Sequence, residues 1–494
     1  MKKYTILVVI LLALACRMYH IFFPVAGFQA WRQADTAAIA KNYYENGLDI
    51  LYPQIDWGGI SKGYVETEFP LVPFLISLLY RIFYPADFWG RFLSALFSLG
   101  AIYGVYLVAK ELTDRSAALW AAAVYAFLPL NIYYSRAVMP ESMMLMCSVL
   151  GVYFFHRWTA CGSKSQLLAS AIFIALAALL KITSLYLGLP LLFLAWNKFG
   201  RKALTKPSLW LFAGFILAAV FLWYRHAHNI YLKSGLTFGI WDYGAGKWGN
   251  FKPLATLKFY NDIFFKSIAE RHLTYAGFFL FLIGLFLKRK SGPERVFDWW
   301  LAGVVVYFCI VAVGNQVHEY YQLPFTLPAS VFIGKACRQF ISPDSFASCR
   351  RAKLAFPLFV LLCLIALPVL SFLRYSNFME GEKLDGSVFK LGSAVQNLTA
   401  PGSRVIAVDE GDPVVLYRCS RKGWHCSPDD VTPSFLREMQ LKGAECLIGT
   451  KEYFDSDERR EKLSRILGCC PLLADEKEYF IVSLPSTMDG RGCY

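Results

Sequence analysis

Charge is what this sequence has least of. Only 17% of its 494 residues are Asp, Glu, Lys or Arg, while 56% are hydrophobic and 17% aromatic. Soluble domains carry about a quarter charged residues, so the composition excludes an ordinary soluble chain. Other things are missing too. There is no glycine-rich phosphate loop; Gly449-Thr450-Lys451 is far too little. No His/Cys group has trustworthy zinc-ligand spacing. There is no internal repeat and no low-complexity tract. The lack of repeated halves argues against a secondary transporter, since many are built from them.

What is present is apolar and long. Runs able to cross a bilayer recur, which predicts a polytopic α-helical membrane protein of about 11 spans. The spans are expected near 4–23, 91–110, 117–134, 141–158, 165–181, 183–198, 208–224, 273–288, 298–314, 320–337 and 354–372. The start, MKKYTILVVILLALAC, has the charged and apolar regions of a signal peptide but no good cleavage site, so it is read as an uncleaved first helix. The segment FPLVPFLISLLYRIF, 69–83, is apolar but short and broken by Pro70 and Pro73.

Basic residues decide the orientation. The net charge is +14. In a soluble protein that would suggest nucleic acid; here it reads as cytoplasmic loops and contact with anionic lipid. With 69–83 left out of the spans, KELTDR, HRWTACGSK, NKFGRKALTK, KRKSGPER and a 335–353 loop with Arg350, Arg351 and Lys353 all fall inside. Counting it as a span would put every later loop outside. The segment is therefore expected on the outer leaflet, within an external loop 24–90. YYSRAVMPE, the long 225–272 loop, NQVHEYY and the C-terminus then face out as well.

Two domains are expected: 1–372, a membrane domain including loop 24–90, and 373–494, a soluble extracytoplasmic α/β domain. In the latter RVIAVDE, PVVLYRC, CLIGTK and EYFIVSL read as strands, and SFLREMQLKGAE and ERREKLSRIL as helices. Six of the 13 cysteines lie there: Cys419, Cys426, Cys446, Cys469, Cys470 and Cys493. An even number in a compact domain suggests disulfides and an oxidising compartment. The sequence does not give their connectivity.

The charges on the outer side need a reason. A charge at the bilayer centre costs roughly 2.5–3.5 kcal/mol, so those that remain are informative. Asp35 precedes TAAIAKNYY as a helix N-cap would. It also suits a general base at the membrane boundary, with Arg32 three residues earlier as a partner. Glu66 and Glu68 share one face if the chain is extended. They are either a polar loop lip or a second carboxylate beside Asp35. A divalent metal held with Asp35 stays open, without His or Cys support. Arg91 opens a span as an interfacial anchor or a phosphate clamp. Arg136 and Glu141 lie on the same side and could pair with each other. His318, Glu319, Tyr320 and Tyr321 form an aromatic belt or a site. Lys181 reads as a snorkelling residue.

These motifs, WRQADTA, TEFPL, an Arg-led span, YYSRAVMPE and HEYYQLP in this order, resemble the family 39-type membrane glycosyltransferases of the glycosyltransferase C superfamily. Relatives there include protein O-mannosyltransferases and the lipid A aminoarabinose transferase, and the likeness covers roughly residues 5–340. It implies transfer of a sugar from a polyprenyl-phosphate donor to a lipid, glycan or protein hydroxyl, on the outer side of a bacterial inner membrane. Asp35 matches the family's base and Glu68 its second carboxylate. Tyr320 or Tyr321 matches a tyrosine near the donor phosphate. Phe69 stands where the aminoarabinose transferases carry a phosphate-binding Lys, which turns attention to Arg91. Arg32, Arg136 and His318 complete the expected substrate-binding set. No cofactor beyond the open metal question is implied. The competing readings are a lipid-sugar transporter and an oligosaccharide ligase using diphosphate-linked donors.

Overall fold

The structure is a computed structural model that describes residues 5–25, 27–241, 246–341, 352–380 and 386–484. Arg350, Arg351 and Cys493 lie outside the described residues. The chain divides into two compact units. A helical unit comprises Met1–Phe22, Gly90–His226 and Gly239–Phe378, and a mixed unit comprises Phe23–Trp89, Ala227–Phe238 and Met379–Tyr494.

In the helical unit, apolar sequence gives long helices. Among the described residues, three helices are long and apolar enough to cross a membrane: Asp87–Leu112, Ile182–Thr205 and Pro207–Ser234. A further pair, Leu257–His272 and Thr274–Phe286, is bent by 108°. The bend falls at Thr274, which is held at φ 56, a left-handed conformation that L residues rarely take. The sequence read 225–272 as a loop, but much of it is helical. The predicted 117–134 span is two helices, Arg115–Phe127 and Pro129–Tyr134. Leu128 between them is extended (φ −63, ψ 138) because the residue before a proline avoids helical geometry. Close packing relies on small residues. A Cβ added to Gly284 would lie 1.9 Å from the Phe332 carbonyl oxygen. The first helix, Thr5–Met18, sends a fully buried Arg17 to Ser98 Oγ (2.7 Å) and the Ala126 carbonyl (3.2 Å).

The mixed unit holds a five-stranded sheet: β1 Arg404–Val408, β2 Lys422–Cys426, β3 Cys446–Thr450, β4 Leu472–Asp475 and β5 Tyr479–Ser483. Their order is β2-β1-β3-β5-β4, with β1 parallel to β2 and β3, and β5 antiparallel to β3 and β4. Side chains alternate between two buried layers. Ile406, Val408, Leu447, Phe480 and Val482 line one; Val405, Ala407, Cys446, Ile448 and Ile481 line the other. PVVLYRC, expected as a strand, is instead the helix Val414–Cys419. Asp412, just before its N-cap Pro413, accepts the Val414 N–H at 3.0 Å, and Val415, Leu416 and Cys419 seal a sheet face. Packing thus overrides β propensity. Cys419, Cys426 and Cys446 are unbridged buried thiols, with Cys426 on the layer opposite the other two. No disulfide joins these three, so the disulfides expected among the six cysteines of this region do not include a bond between any two of them.

Leu71–Ile82 is a helix whose Val72, Ile76 and Tyr80 are buried, while Ile82, Phe83 and Tyr84 at its end are exposed. It packs on the helix Ala30–Asn46 through pairs such as Tyr43 with Phe74 (5.9 Å between ring centres).

Candidate active site

In the mixed unit the helix Ala30–Asn46 begins after Gln29, whose φ of 57 turns the chain through left-handed space. Asp35 therefore sits in the second turn, and the N-cap reading fails. Its side chain is buried, and its Oδ1 accepts the indole N–H of Trp57 at 3.0 Å. Burial pushes its carboxyl up to about 7, against the opposing pull of the Trp57 bond and the Arg32 charge. A carboxylate tuned to this range can take a proton from a hydroxyl at neutral pH.

Trp57 is carried by a tight loop. Ile55 N–H donates to the Gly63 carbonyl at 2.9 Å and Val65 N–H to the Pro53 carbonyl at 3.0 Å. Gly63 has φ 72, and a Cβ there would sit 2.4 Å from the Ile55 carbonyl oxygen, so only glycine fits. Asn42 ties the helix to this loop by donating to Asp56 Oδ1 (2.9 Å) and the Gln54 carbonyl (3.2 Å). Burial also raises the Asp56 carboxyl.

Arg32 does not take Asp35 as its ion partner. Its guanidinium pairs with Glu68 and lies over the Phe238 ring, 4.7 Å from the centroid. Glu66 goes elsewhere: it accepts the Thr237 hydroxyl at 2.6 Å and lies 3.5 Å from His228 Nδ1. The two glutamates thus hold different elements and do not form a carboxylate pair. The sheet contributes a further group. His425 Nδ1 lies 2.9 and 2.8 Å from the two Asp409 oxygens, and its ring lies 6.0 Å from that of Trp57.

The helical unit gathers the remaining motif residues. Tyr134 donates its hydroxyl to the buried Glu319, and the ring of Tyr134 lies 5.8 Å from that of Tyr320. His318 faces Tyr320 and Tyr321 at 5.2 and 5.4 Å. Lys181 is no idle snorkelling residue. Its ammonium lies 4.8 Å from the Tyr320 ring centre and 4.6 Å from that of Tyr321. It also pairs with the buried Glu141 at 2.7 Å. Glu141 is thus taken by Lys181 and not by Arg136. Lys247 lies over Tyr321 from 5.7 Å. Arg91 and Arg136 are both fully buried. Arg91 donates to the Arg136 carbonyl at 3.5 Å, and Arg136 reaches the His20 carbonyl at 3.4 Å, between the rings of Tyr133 and Tyr375. Neither is a surface anchor.

Sequence reasoning missed Trp57, Asp56, Asp409 and His425 and discounted Lys181. No local motif marks them; their partners are distant in the chain. Among the described residues, no group of three or more His, Cys, Asp or Glu side chains is arranged to hold a metal ion.

Comparisons with known proteins agree with this architecture. Residues 67–224 match the family model of dolichyl-phosphate-mannose-protein mannosyltransferase. A stretch of 207 residues is 27% identical to "Putative mannosyltransferase YycA" of Bacillus subtilis (strain 168), over 40% of this chain and 28% of that one. The match thus spans little more than a quarter of that relative's length. The fold is similar to that of ArnT from Cupriavidus metallidurans bound to undecaprenyl phosphate, with a TM-score of 0.68, 12% identity and 98% of each chain covered. It is also similar to the archaeal oligosaccharyltransferase AglB from Archaeoglobus fulgidus, solved with an inhibitory peptide and a dolichol-phosphate. There the TM-score is 0.58 and the identity 15%, over 91% of this chain and 70% of that one. The resemblance read from the motifs agrees with the family-model match over residues 67–224 and with a fold similar to that of these two membrane enzymes.

Proposed function

We propose that this membrane protein of the glycosyltransferase C type transfers a sugar from a polyprenyl-phosphate donor to an acceptor hydroxyl, on the extracytoplasmic face of a bacterial inner membrane. The observation that carries the reading is Asp35: a buried carboxyl with its acidity moved to about 7, fixed in place by one indole N–H. It serves as the general base. Glu68 orients Arg32 through their ion pair and so shapes the floor around the base.

In the helical unit, Lys181 with Tyr320, Tyr321 and His318 is our candidate for the lipid phosphate. A cation over two phenol rings, with its carboxylate partner to one side, can bind an anion and stabilise the charge that builds on a departing phosphate. Arg91 and Arg136 support that surface from within, through their backbone carbonyl bonds. The exposed Ile82, Phe83 and Tyr84 suit a helix lying at the membrane surface. The sheet of the mixed unit is assigned to the extracytoplasmic side. The named ligands of the structural neighbours, undecaprenyl phosphate and dolichol-phosphate, support a lipid-phosphate donor.

The test is incubation of purified protein with a panel of polyprenyl-phosphate sugars, measuring sugar release. Turnover on at least one donor, lost in Asp35→Asn, is expected. A polyprenyl-diphosphate oligosaccharide belongs in the panel, because turnover on that donor alone would favour an oligosaccharide ligase. No turnover on any donor would overturn the reading.

A further inference from the structure

The sheet of the mixed unit carries chemistry of its own. Asp409 is the residue that follows β1, and His425 is on β2, the neighbouring parallel strand. The pair thus sits at the carboxyl ends of parallel strands, where open sheets of this kind commonly bind ligands. The Asp409 side chain is completely buried and accepts from His425 Nδ1, which fixes the tautomer and leaves Nε2 as an acceptor. That Nε2 is buried and makes no hydrogen bond within the described residues. A buried polar atom of this kind is uncommon in a folded protein and calls for a partner.

The imidazole is tied to the base by geometry. Its ring lies against Trp57, and Trp57 donates to Asp35. The loop bearing Trp57 is clamped to the strand bearing His425 by reciprocal backbone bonds. Gly59 N–H donates to the Gly423 carbonyl at 2.8 Å, and Gly423 N–H donates to the Asp56 carbonyl at 2.9 Å. Since β2 is an edge strand, the loop in effect continues the sheet. Asp35, Asp409 and Asp412 all lie within electrostatic reach of His425. Surroundings so rich in carboxyl groups suit an uncharged polar ligand better than a phosphate.

We propose that His425, oriented by Asp409, is an acceptor-binding residue, and that the acceptor is an uncharged sugar with two hydroxyls engaged, one at Asp35 and a neighbouring one at His425 Nε2. This rests on Asp35 as the base. Trp57 between them is half-buried, packed against two apolar clusters of the unit, and fixes the spacing of the two polar groups. In the transfer, the reacting hydroxyl gives its proton to Asp35 while its oxygen forms the bond to the anomeric carbon. The bond from that carbon to the phosphate oxygen breaks, and its electron pair leaves with the lipid phosphate. His425 is unchanged by the step; it holds the second hydroxyl, whose proton points at Nε2.

The experiment uses the full chain in nanodiscs, a polyprenyl-phosphate mannose as donor and octyl glycosides as acceptor probes. Donor hydrolysis without acceptor is followed in parallel. The unaltered protein should glycosylate at least one octyl glycoside. His425→Ala should raise the acceptor KM at least tenfold, with kcat changed less than threefold. His425→Gln, which restores an acceptor atom, should recover most of that loss. The proposal is overturned if His425→Ala leaves the acceptor KM unchanged, or lowers hydrolysis and transfer in proportion as a folding defect would. Hydrolysis of donor without transfer to any octyl glycoside would also overturn it. Full transfer by Asp35→Asn would instead defeat the base assignment, whatever His425→Ala does. No donor turnover at all would defeat the glycosyltransferase reading and this proposal with it.

Discussion

The indole N–H of Trp57 donates to Asp35 Oδ1 across 3.0 Å. The bond leaves the second carboxyl oxygen of Asp35 for a substrate proton, and it survives replacement of the acid by an amide. Asp35→Asn is therefore a clean probe. Transfer should fall by about 10²–10⁴, the usual contribution of a positioned base. Initial rates at saturating donor measure it; a loss below tenfold would sink the assignment.

The acidity of Asp35 gives a pH signature. Burial raises its carboxyl from 3.8 to about 7, so the group is protonated, and idle as a base, at pH 5 and 6. Activity should climb as pH rises through about 7. Stability moves the other way. The native form holds this proton between 3.8 and about 7 whereas the unfolded chain does not, so the contribution is full below 3.8 and lost as pH rises through 7. Asp35→Asn removes that loss. The variant should melt above the unaltered protein at pH 8.5, by a wider margin than at pH 5, and close to it only near pH 3.8. Equal melting temperatures at both pH values would contradict the shift.

Lys181 and Glu141 form a pair in which Glu141 is almost wholly buried. Removing one partner strands the other's charge, at a cost of about 3–5 kcal/mol. Lys181→Met should lower the melting temperature, and adding Glu141→Gln should restore it. If Lys181 also meets the lipid phosphate, the double variant will be stable yet bind undecaprenyl phosphate at least tenfold more weakly. Unchanged binding in the stable double variant would assign Lys181 to structure alone.

Gly284→Ala should destabilise the helical unit, because the new methyl meets the Phe332 backbone carbonyl at 1.9 Å. Overpacking of this kind costs about 1–3 kcal/mol. Gly214→Ala is the control, as nothing lies within 4 Å of its added Cβ. Thermal unfolding of the two variants side by side decides the point; equal melting would mean that the helices separate easily.

The sequence made the long apolar helices and their approximate places plain, because hydrophobic runs are a local property. It misjudged what depends on distant partners. PVVLYRC has strand-forming residues, yet the sheet face it seals needed a helix. Asp35 stands before a good helix former, yet the helix starts five residues earlier at Ala30. Lys181 looked like an edge residue because its partners Glu141, Tyr320 and Tyr321 lie far from it in the chain. His425 carries no motif at all. Only pairing of β2 with β1 and with the 56–59 loop sets it beside Asp409 and Trp57.

That loop-to-strand clamp also sets an order of events. Gly59 is made long before Gly423, so for much of synthesis the nascent chain lacks the strand that clamps the Trp57 loop. Until it arrives, Asp35 has not met the surroundings that shift its acidity. The proposed base is thus not in place until β2 has paired with β1. A chain ending before residue 400 should enter the membrane and yet turn over no donor.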